Sequence, residues 1–341
     1  MPGLFGAEYP AEDLRRMTGS MRQIAGIRLA EVADGKARGM RVASVHTGGG
    51  LYFQVLLDRA MDIGAAEYLG RPLAWVHPAL GGPDQYEPHG YGWSRTFGGG
   101  LVTTCGLTFF GHPEVDAGEE LGLHGRISHI PAEKVRVTEE WRGDDYVLEI
   151  EGQARQAVLG GENLLLTRKI STRMGASALT IEDTVRNDGF RETPHMILYH
   201  CNFGFPVVSP SSELEIDDEH VRPRDDPARA GFENHTRFEL PQPGYAEQVF
   251  FHKPRVDAEG FSRAVIMNRD LGFGAYVRYR AAELPYFAQW KLMGAGDYVC
   301  GLEPANQWET PRHVLREEGR LKFLAPGEEV RYLVQIGGAR A

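Results

Sequence analysis

Cysteine is scarce in this chain. Cys105, Cys201 and Cys300 are the only three among 341 residues, an odd number with no Cys-x-x-Cys spacing, so neither a disulfide framework nor a zinc knuckle is indicated. A reducing compartment, the cytoplasm, is the expectation. Long apolar runs are missing too. No uncharged stretch approaches the roughly 18 residues needed to cross a bilayer, and the opening Met1-Pro-Gly-Leu-Phe-Gly-Ala-Glu-Tyr9 has no basic region followed by an apolar one, so it does not read as a signal peptide. Positive charge is in deficit: 37 Lys and Arg face 47 Asp and Glu, a formal net charge of −10 with a pI near 5.7. Nucleic acid and anionic membrane are therefore poor partners, since neither is drawn to a net acidic surface. What remains, 42% apolar and 25% charged residues, is the composition of a soluble globular protein able to bury a large core.

Periodicity gives the class. Residues 11–18 suit one short helix, with Glu12 and Asp13 in the first turn and Arg15 and Arg16 towards the end, the charge order that the helix dipole favours. From residue 27 onward short alternating runs take over, at 40–46, 51–57 and a hairpin over 63–76 turning at Leu69-Gly70-Arg71. Residues 78–122 are rich in Gly, Pro and aromatics, too apolar for a solvated linker and too glycine-rich for regular strand, and are expected to be loops lining a pocket. Strands follow at 135–141, 146–156, 164–174, 178–187 and 196–204. The charged, proline-containing stretch 211–243 is expected to be an excursion, its Asp217, Asp218, Asp225 and Asp226 solvated. Strand signals resume at 249–252, 264–268, 274–279 and 286–291, and residues 321–336 read as two strands around a Pro-Gly turn. Together these predict an all-β fold, a large antiparallel β-sandwich with a short N-terminal helix: residues 1–26 as a lead-in and 27–341 as a single sandwich domain.

The run Met196-Ile-Leu-Tyr-His-Cys-Asn-Phe-Gly-Phe-Pro206 holds one imidazole, His200, in apolar surroundings. Such a ring is either a hydrogen-bonded core residue or faces a cavity where its proton is used. Two further segments, Leu123-His124-Gly125-Arg126 and Cys300-Gly-Leu-Glu303-Pro-Ala-Asn306, set acid–base side chains beside small or turn-forming residues that leave room for a ligand. Asn202, Trp290, Lys291, Gln307 and Trp308 flank these candidates, and an indole face suits the apolar face of a pyranose. Asp58, Arg59 and Asp62 read as a turn network. The spacing of His46, His112 and His129 gives no support for a metal site with His124.

Leu123-His124-Gly125, His200 with Phe203, and Gly301-Leu302-Glu303, in that order, resemble the aldose 1-epimerase (galactose mutarotase) superfamily. The wording of Leu198-Tyr-His-Cys-Asn-Phe-Gly204 and Gly301-Leu-Glu-Pro-Ala305 is closer to a bacterial branch of it, the DUF4432 family, and the resemblance runs from about residue 27 to the end. It implies a mutarotase-like β-supersandwich binding a monosaccharide or derivative in a cleft, as monomer or homodimer, with no metal or organic cofactor. It also implies Glu303 as base, His200 as acid and His124 as a second histidine holding the sugar. Arg95 is carried over as the family's sugar-contacting arginine, and Arg126 as the arginine found in relatives that prefer sugar phosphates. The family's sugar-gripping aspartate has no match here. The chemistry suits these residue types, because opening a hemiacetal needs one group to accept a proton while another donates one. The expected activity is a sugar mutarotase. The alternatives are an epimerase, isomerase or lyase on an oxidised or unusual sugar, and a non-catalytic sugar-binding protein.

Overall fold

The computed structural model describes residues 3–340. Period-two burial builds its strands: along Asp145–Ala157 the even-numbered positions are buried and the odd ones are not, so one face carries Tyr146, Leu148, Ile150 and Ala154 into the core. In chain order the principal strands are β1 (Gly26–Glu31), β2 (Arg41–His46), β3 (Leu51–Leu56), β4 (Asp62–Tyr68), β5 (Arg71–Pro72), β6 (Thr103–Leu107), β7 (Glu133–Arg142), β8 (Asp145–Ala157), β9 (Asn163–Arg173) and β10 (Ala178–Asn187). There follow β11 (Met196–Phe203), β12 (Ser212–Ile216), β13 (Asp218–Pro223), β14 (Gln248–Pro254), β15 (Phe261–Asn268), β16 (Phe273–Arg280), β17 (Tyr286–Met293), β18 (Tyr298–Ala305) and β19 (Glu329–Arg340).

These strands make three antiparallel sheets. One runs β1 to β5 in sequence, an eight-stranded sheet has the order β7-β8-β9-β10-β19-β16-β15-β12, and a six-stranded sheet has the order β13-β14-β17-β18-β11-β6. Phe53 and Val55 of the first, Ile150, Leu166 and Ile181 of the second, and Tyr199, Phe287 and Leu302 of the third belong to one continuous apolar cluster. The architecture is the predicted all-β sandwich. Helix α1 (Ala11–Met17) carries the expected acidic first turn and basic last turn.

Three of the departures from expectation concern segments around the six-stranded sheet. Residues 103–107, read as loop, form edge strand β6, buried at every position. The stretch 211–243 contains β12, β13 and helix α2 (Asp226–Ala230). Asp218 and Asp225 are not simply solvated: Asp218 bonds the buried His252 at 2.6 Å, and Asp225 caps α2 through the Ala228 N–H at 3.1 Å. The third departure is β18, whose Cys-Gly-Leu-Glu-Pro-Ala wording hides a strand buried at all but its first position. A central strand covered on both faces has no polar alternation to reveal it.

Beneath the six-stranded sheet lies a buried ionic knot. Arg168 of β9 donates to both carboxylate oxygens of Asp183 on β10 (2.9 and 2.6 Å), to Asp62 on β4 (3.1 Å) and to the Thr104 hydroxyl on β6 (2.8 Å). Tyr199 of β11 donates its hydroxyl to Asp183 at 2.7 Å. All three sheets meet in these five side chains. Asp62 thus does more than serve the turn network read from sequence, whereas Asp58 stays local to Arg41, whose Nε lies 2.8 Å away.

Candidate active site

Strand register brings the two central candidates together. Leu198 lies opposite Ala305 and Cys201 opposite Leu302 on β11 and β18, which sets His200 beside Glu303, with His200 Nε2 3.2 Å from Glu303 Oε1. The alternation that turns Tyr199, Cys201 and Leu302 into the core turns His200 and Glu303 the other way, onto the floor of a cleft of about 390 Å³. Trp290 of β17 sits opposite Gly301, and its indole meets the His200 ring edge-on at 5.2 Å. Gly301 has a steric task here. A Cβ at that position would come within 2.5 Å of Glu303 Oε1 and 3.2 Å of the Trp290 Cβ.

The opposite wall comes from the loops. His124 has a left-handed backbone, φ 55°, an uncommon state for a residue with a Cβ. Its N–H donates to Gly111 O at 3.0 Å and its carbonyl accepts from Gly106 N at 3.1 Å. Gly125 follows with φ 75°, so close to the Phe109 carbonyl that a Cβ would lie 2.3 Å from it. The His124 ring stands edge-on to Trp93 (4.9 Å) and to His200 (5.8 Å), while Phe97 stacks on Trp93 at 4.4 Å. As the composition of residues 78–122 suggests, this aromatic, glycine-rich segment lines the pocket.

Burial governs protonation. Glu303, 6% exposed, has its pKa pushed well above the usual carboxylate range by loss of water, helped by the carboxylates of Glu309 and Glu247 and opposed by Arg224. His200 is driven the other way by burial, from 6.5 to about 4, and His124 falls well below 6.5 through burial and the neighbouring His200. The shifts of Glu303 and His200 both favour the uncharged form of each group, and so weigh against an ion pair at the 3.2 Å contact. Among the described residues Glu303 Oε1, His200 Nδ1 and His124 Nδ1 are buried with no hydrogen-bond partner, an uncommon state that marks the floor of the cleft as a functional candidate.

The remaining sequence candidates divide. Trp290 lines the cleft; Arg95, Arg126, Asn202, Lys291 and Gln307 do not. Arg95 points to solvent near Glu87, 3.4 Å away. Arg126 lines a separate depression beside Tyr86 and Arg155. Asn202 is buried, its amide donating to the Gly100 and His200 carbonyls at 3.0 Å each, so it fixes the backbone of His200. Lys291, adjacent to Trp290, necessarily faces the other side of β17, where it meets Glu239 at 2.7 Å. Gln307 donates to Arg320 O and accepts from Trp308 N, both at 3.0 Å.

Sequence reasoning missed the group around Arg224. Its guanidinium reaches Asp225 (2.9 Å), Glu247 (2.8 Å) and Glu309 (3.3 Å). Glu247 also accepts the Trp290 indole N–H at 2.9 Å, and His112 Nε2 lies 3.8 Å from Glu309. Glu247 stays below its usual pKa despite burial, through Arg224 and Trp290, whereas burial raises Glu309 against the pull of Arg224. Nothing in the wording of residues 211–250 marks Arg224 or Glu247, since they meet Glu309 and Trp290 from separate segments. The site thus sets a carboxyl and an imidazole at contact distance in a cleft lined by aromatic side chains.

Solved structures share the fold. A proposed aldose 1-epimerase from Klebsiella pneumoniae aligns over 97% of this chain and 87% of its own with TM-score 0.87 at 22% identity. A galactose mutarotase-like protein from Clostridium acetobutylicum aligns over 94% of this chain and 100% of its own (TM-score 0.61, 14% identity). A galactose 1-epimerase from Lactobacillus acidophilus aligns over 93% and 99% (TM-score 0.60, 12% identity). The comparison with curated proteins finds no match. Residues 37–337 match the family described as domain of unknown function DUF4432, and the chain belongs to that family.

Proposed function

We propose that this protein is a sugar mutarotase, opening and reclosing a cyclic aldose between Glu303 and His200. The supporting observation is the 3.2 Å approach of these two groups on the floor of an aromatic cleft. From the resting state, His200 takes the proton of the anomeric hydroxyl while Glu303 gives its own to the ring oxygen. The bond from C1 to the ring oxygen breaks and a carbonyl forms at C1. After rotation about C1–C2 the ring hydroxyl attacks the other carbonyl face and both protons return. The resemblance assigns Glu303 as base and His200 as acid. The proposed order starts from the neutral pair that burial favours, with the proton on Glu303, and the assigned roles become those of ring closure, in which Glu303 recovers its proton from the ring hydroxyl and His200 returns one to O1. His124 and the Trp290 face would hold the sugar. The direct test is anomer interconversion in freshly dissolved sugars, by polarimetry or NMR exchange. Interconversion at the buffer rate for every aldose of a broad panel would remove this reading.

The pH dependence has a defined sign. The pair works while it holds one proton. Below about 4, His200 is protonated as well as Glu303, and the acid limb belongs to the imidazole. At high pH Glu303 ionises, and the alkaline limb belongs to the carboxyl. The profile of kcat/KM is therefore expected to have its acid limb well below the 6.5 of an ordinary histidine and its alkaline limb above the usual carboxylate range. An acid limb near 6.5 would mean that His200 titrates as if in water.

Gly301→Ala offers a steric test of the same pair. The added methyl must displace the Glu303 carboxyl, and misplacement by about 1 Å typically costs on the order of 10²-fold in rate. Circular dichroism should be unchanged while kcat falls by about that factor. Full activity in the alanine variant would show that the carboxyl position is not critical.

A further inference from the structure

The cleft holds more carboxyl groups than its cation can neutralise. Arg224 is the only Arg or Lys among its lining residues, and all three guanidinium nitrogens are committed: Nε to Asp225, Nη2 to Glu247, Nη1 to Glu309. Glu303 adds a buried carboxyl to the lining, its Oε1 without a hydrogen-bond partner among the described residues. Asp297 adds another at the mouth, 3.6 Å from His77. Glu309 Oε1 accepts no hydrogen bond from the described residues; its nearest cationic candidate is His112, at 3.8 Å. Among the described lining residues a sugar phosphate or uronate meets no Arg or Lys free of carboxyl partners, and the carboxyl groups of Glu247, Glu309 and Asp297 are set against it, an arrangement of the kind that excludes wrong ligands. A cation meets the reverse, in a cleft also lined by the aromatic side chains of Trp75, Trp93 and Phe97.

Resting on the mutarotase reading, we propose that the substrate is a sugar carrying a protonated amine, its ammonium group received by the carboxyl oxygens of Glu309 and Glu247 while the anomeric centre lies against Glu303 and His200. An ammonium has three donors and no acceptor, and it supplies the positive charge that Arg224 alone cannot give to three carboxylates. Burial raises the pKa of Glu309 against the pull of Arg224 and His112, and a bound ammonium would favour its charged form. Arg95, Arg126 and Lys291, which could have received an anion, all lie outside the cleft.

The test is a matched set of ligands titrated by calorimetry below about pH 7, where the amines are cationic: galactose, galactosamine and galacturonate, then glucose, glucosamine and glucose 6-phosphate. Each amino sugar is expected to bind about tenfold more tightly than its neutral parent at low salt, an advantage that shrinks as salt is added. The anionic sugars should show no saturable binding. In Glu309→Gln the ratio of amino to neutral affinity should fall several-fold. An amino sugar binding no better than its parent, or an anionic sugar binding better, overturns the proposal. Mutarotation rates on the same six sugars separate the two readings. Charge preference without catalysis sinks the mutarotase assignment alone, catalysis without charge preference sinks the amine alone, and binding of none of the six sinks both.

Discussion

Glu303→Gln is expected to lower kcat by about two orders of magnitude or more while sugar still binds. The amide keeps nearly the same shape, so it fits the space that Gly301 leaves open, and it still offers hydrogen bonds to a sugar hydroxyl. What it loses is the ability to give up or accept a proton. In the mechanism above that carboxyl moves a proton in both half-reactions, so neither opening nor closing survives its removal. His200→Asn should behave alike, because the imidazole is the other end of the same transfer. His124→Asn should raise KM at least as much as it lowers kcat if its ring mainly holds the sugar. The residual activity of Glu303→Gln should also lose the alkaline limb of the pH profile, a change that a merely structural role for Glu303 would not produce. Near wild-type kcat in Glu303→Gln on a sugar the protein turns over would refute the assigned chemistry.

How much of this was legible in the sequence depended on what each residue's neighbours encode. The half-buried strands β7 to β10 were plain because alternation is a local signal, and β10 (Ala178–Asn187) matches the expected span. Strand β18 was invisible as a strand although Glu303 within it was identified, because burial on both faces and a Gly and a Pro remove the alternation. The pairing of His200 with Glu303 could be anticipated only through the family resemblance, since register between strands a hundred residues apart leaves no local trace. Trp290 and Lys291 were both named as site residues, yet adjacent residues on a strand face opposite ways and only one could line the cleft. Asn202 shares the face of His200 but is covered by the segment ending at Gly100, to which it donates. Arg224, Glu247 and Glu309 went unseen because a charged residue in a polar stretch looks the same whether it is solvated or folded onto a site.

The second large effect lies beneath the cleft. Arg168→Met is expected to destabilise the fold by about 3–5 kcal/mol, the cost of leaving buried carboxylates without their cation. Methionine replaces the apolar stem of the side chain but none of its five donors. Asp183 would lose two charge-assisted bonds, and Asp62, whose Oδ2 already has no partner among the described residues, would lose its arginine. Burial already raises the Asp62 pKa with Arg168 present, so protonation would relieve part of the loss but not the broken geometry. An exposed pair sets the comparison: Arg142, bonded to Glu149 at 2.6 Å on the surface, should cost less than about 1 kcal/mol when replaced by Met. Changing Asp62 and Asp183 to Asn in the Arg168→Met background should recover much of the stability, because the penalty comes from unpaired charge rather than from lost volume. The knot also reaches the chemistry, since Asp183 holds the hydroxyl of Tyr199 at 2.7 Å and Tyr199 is the residue before His200. Urea unfolding of the two Arg→Met variants reads the comparison directly, and equal losses at positions 168 and 142 would show that the buried knot is no more stabilising than a surface pair.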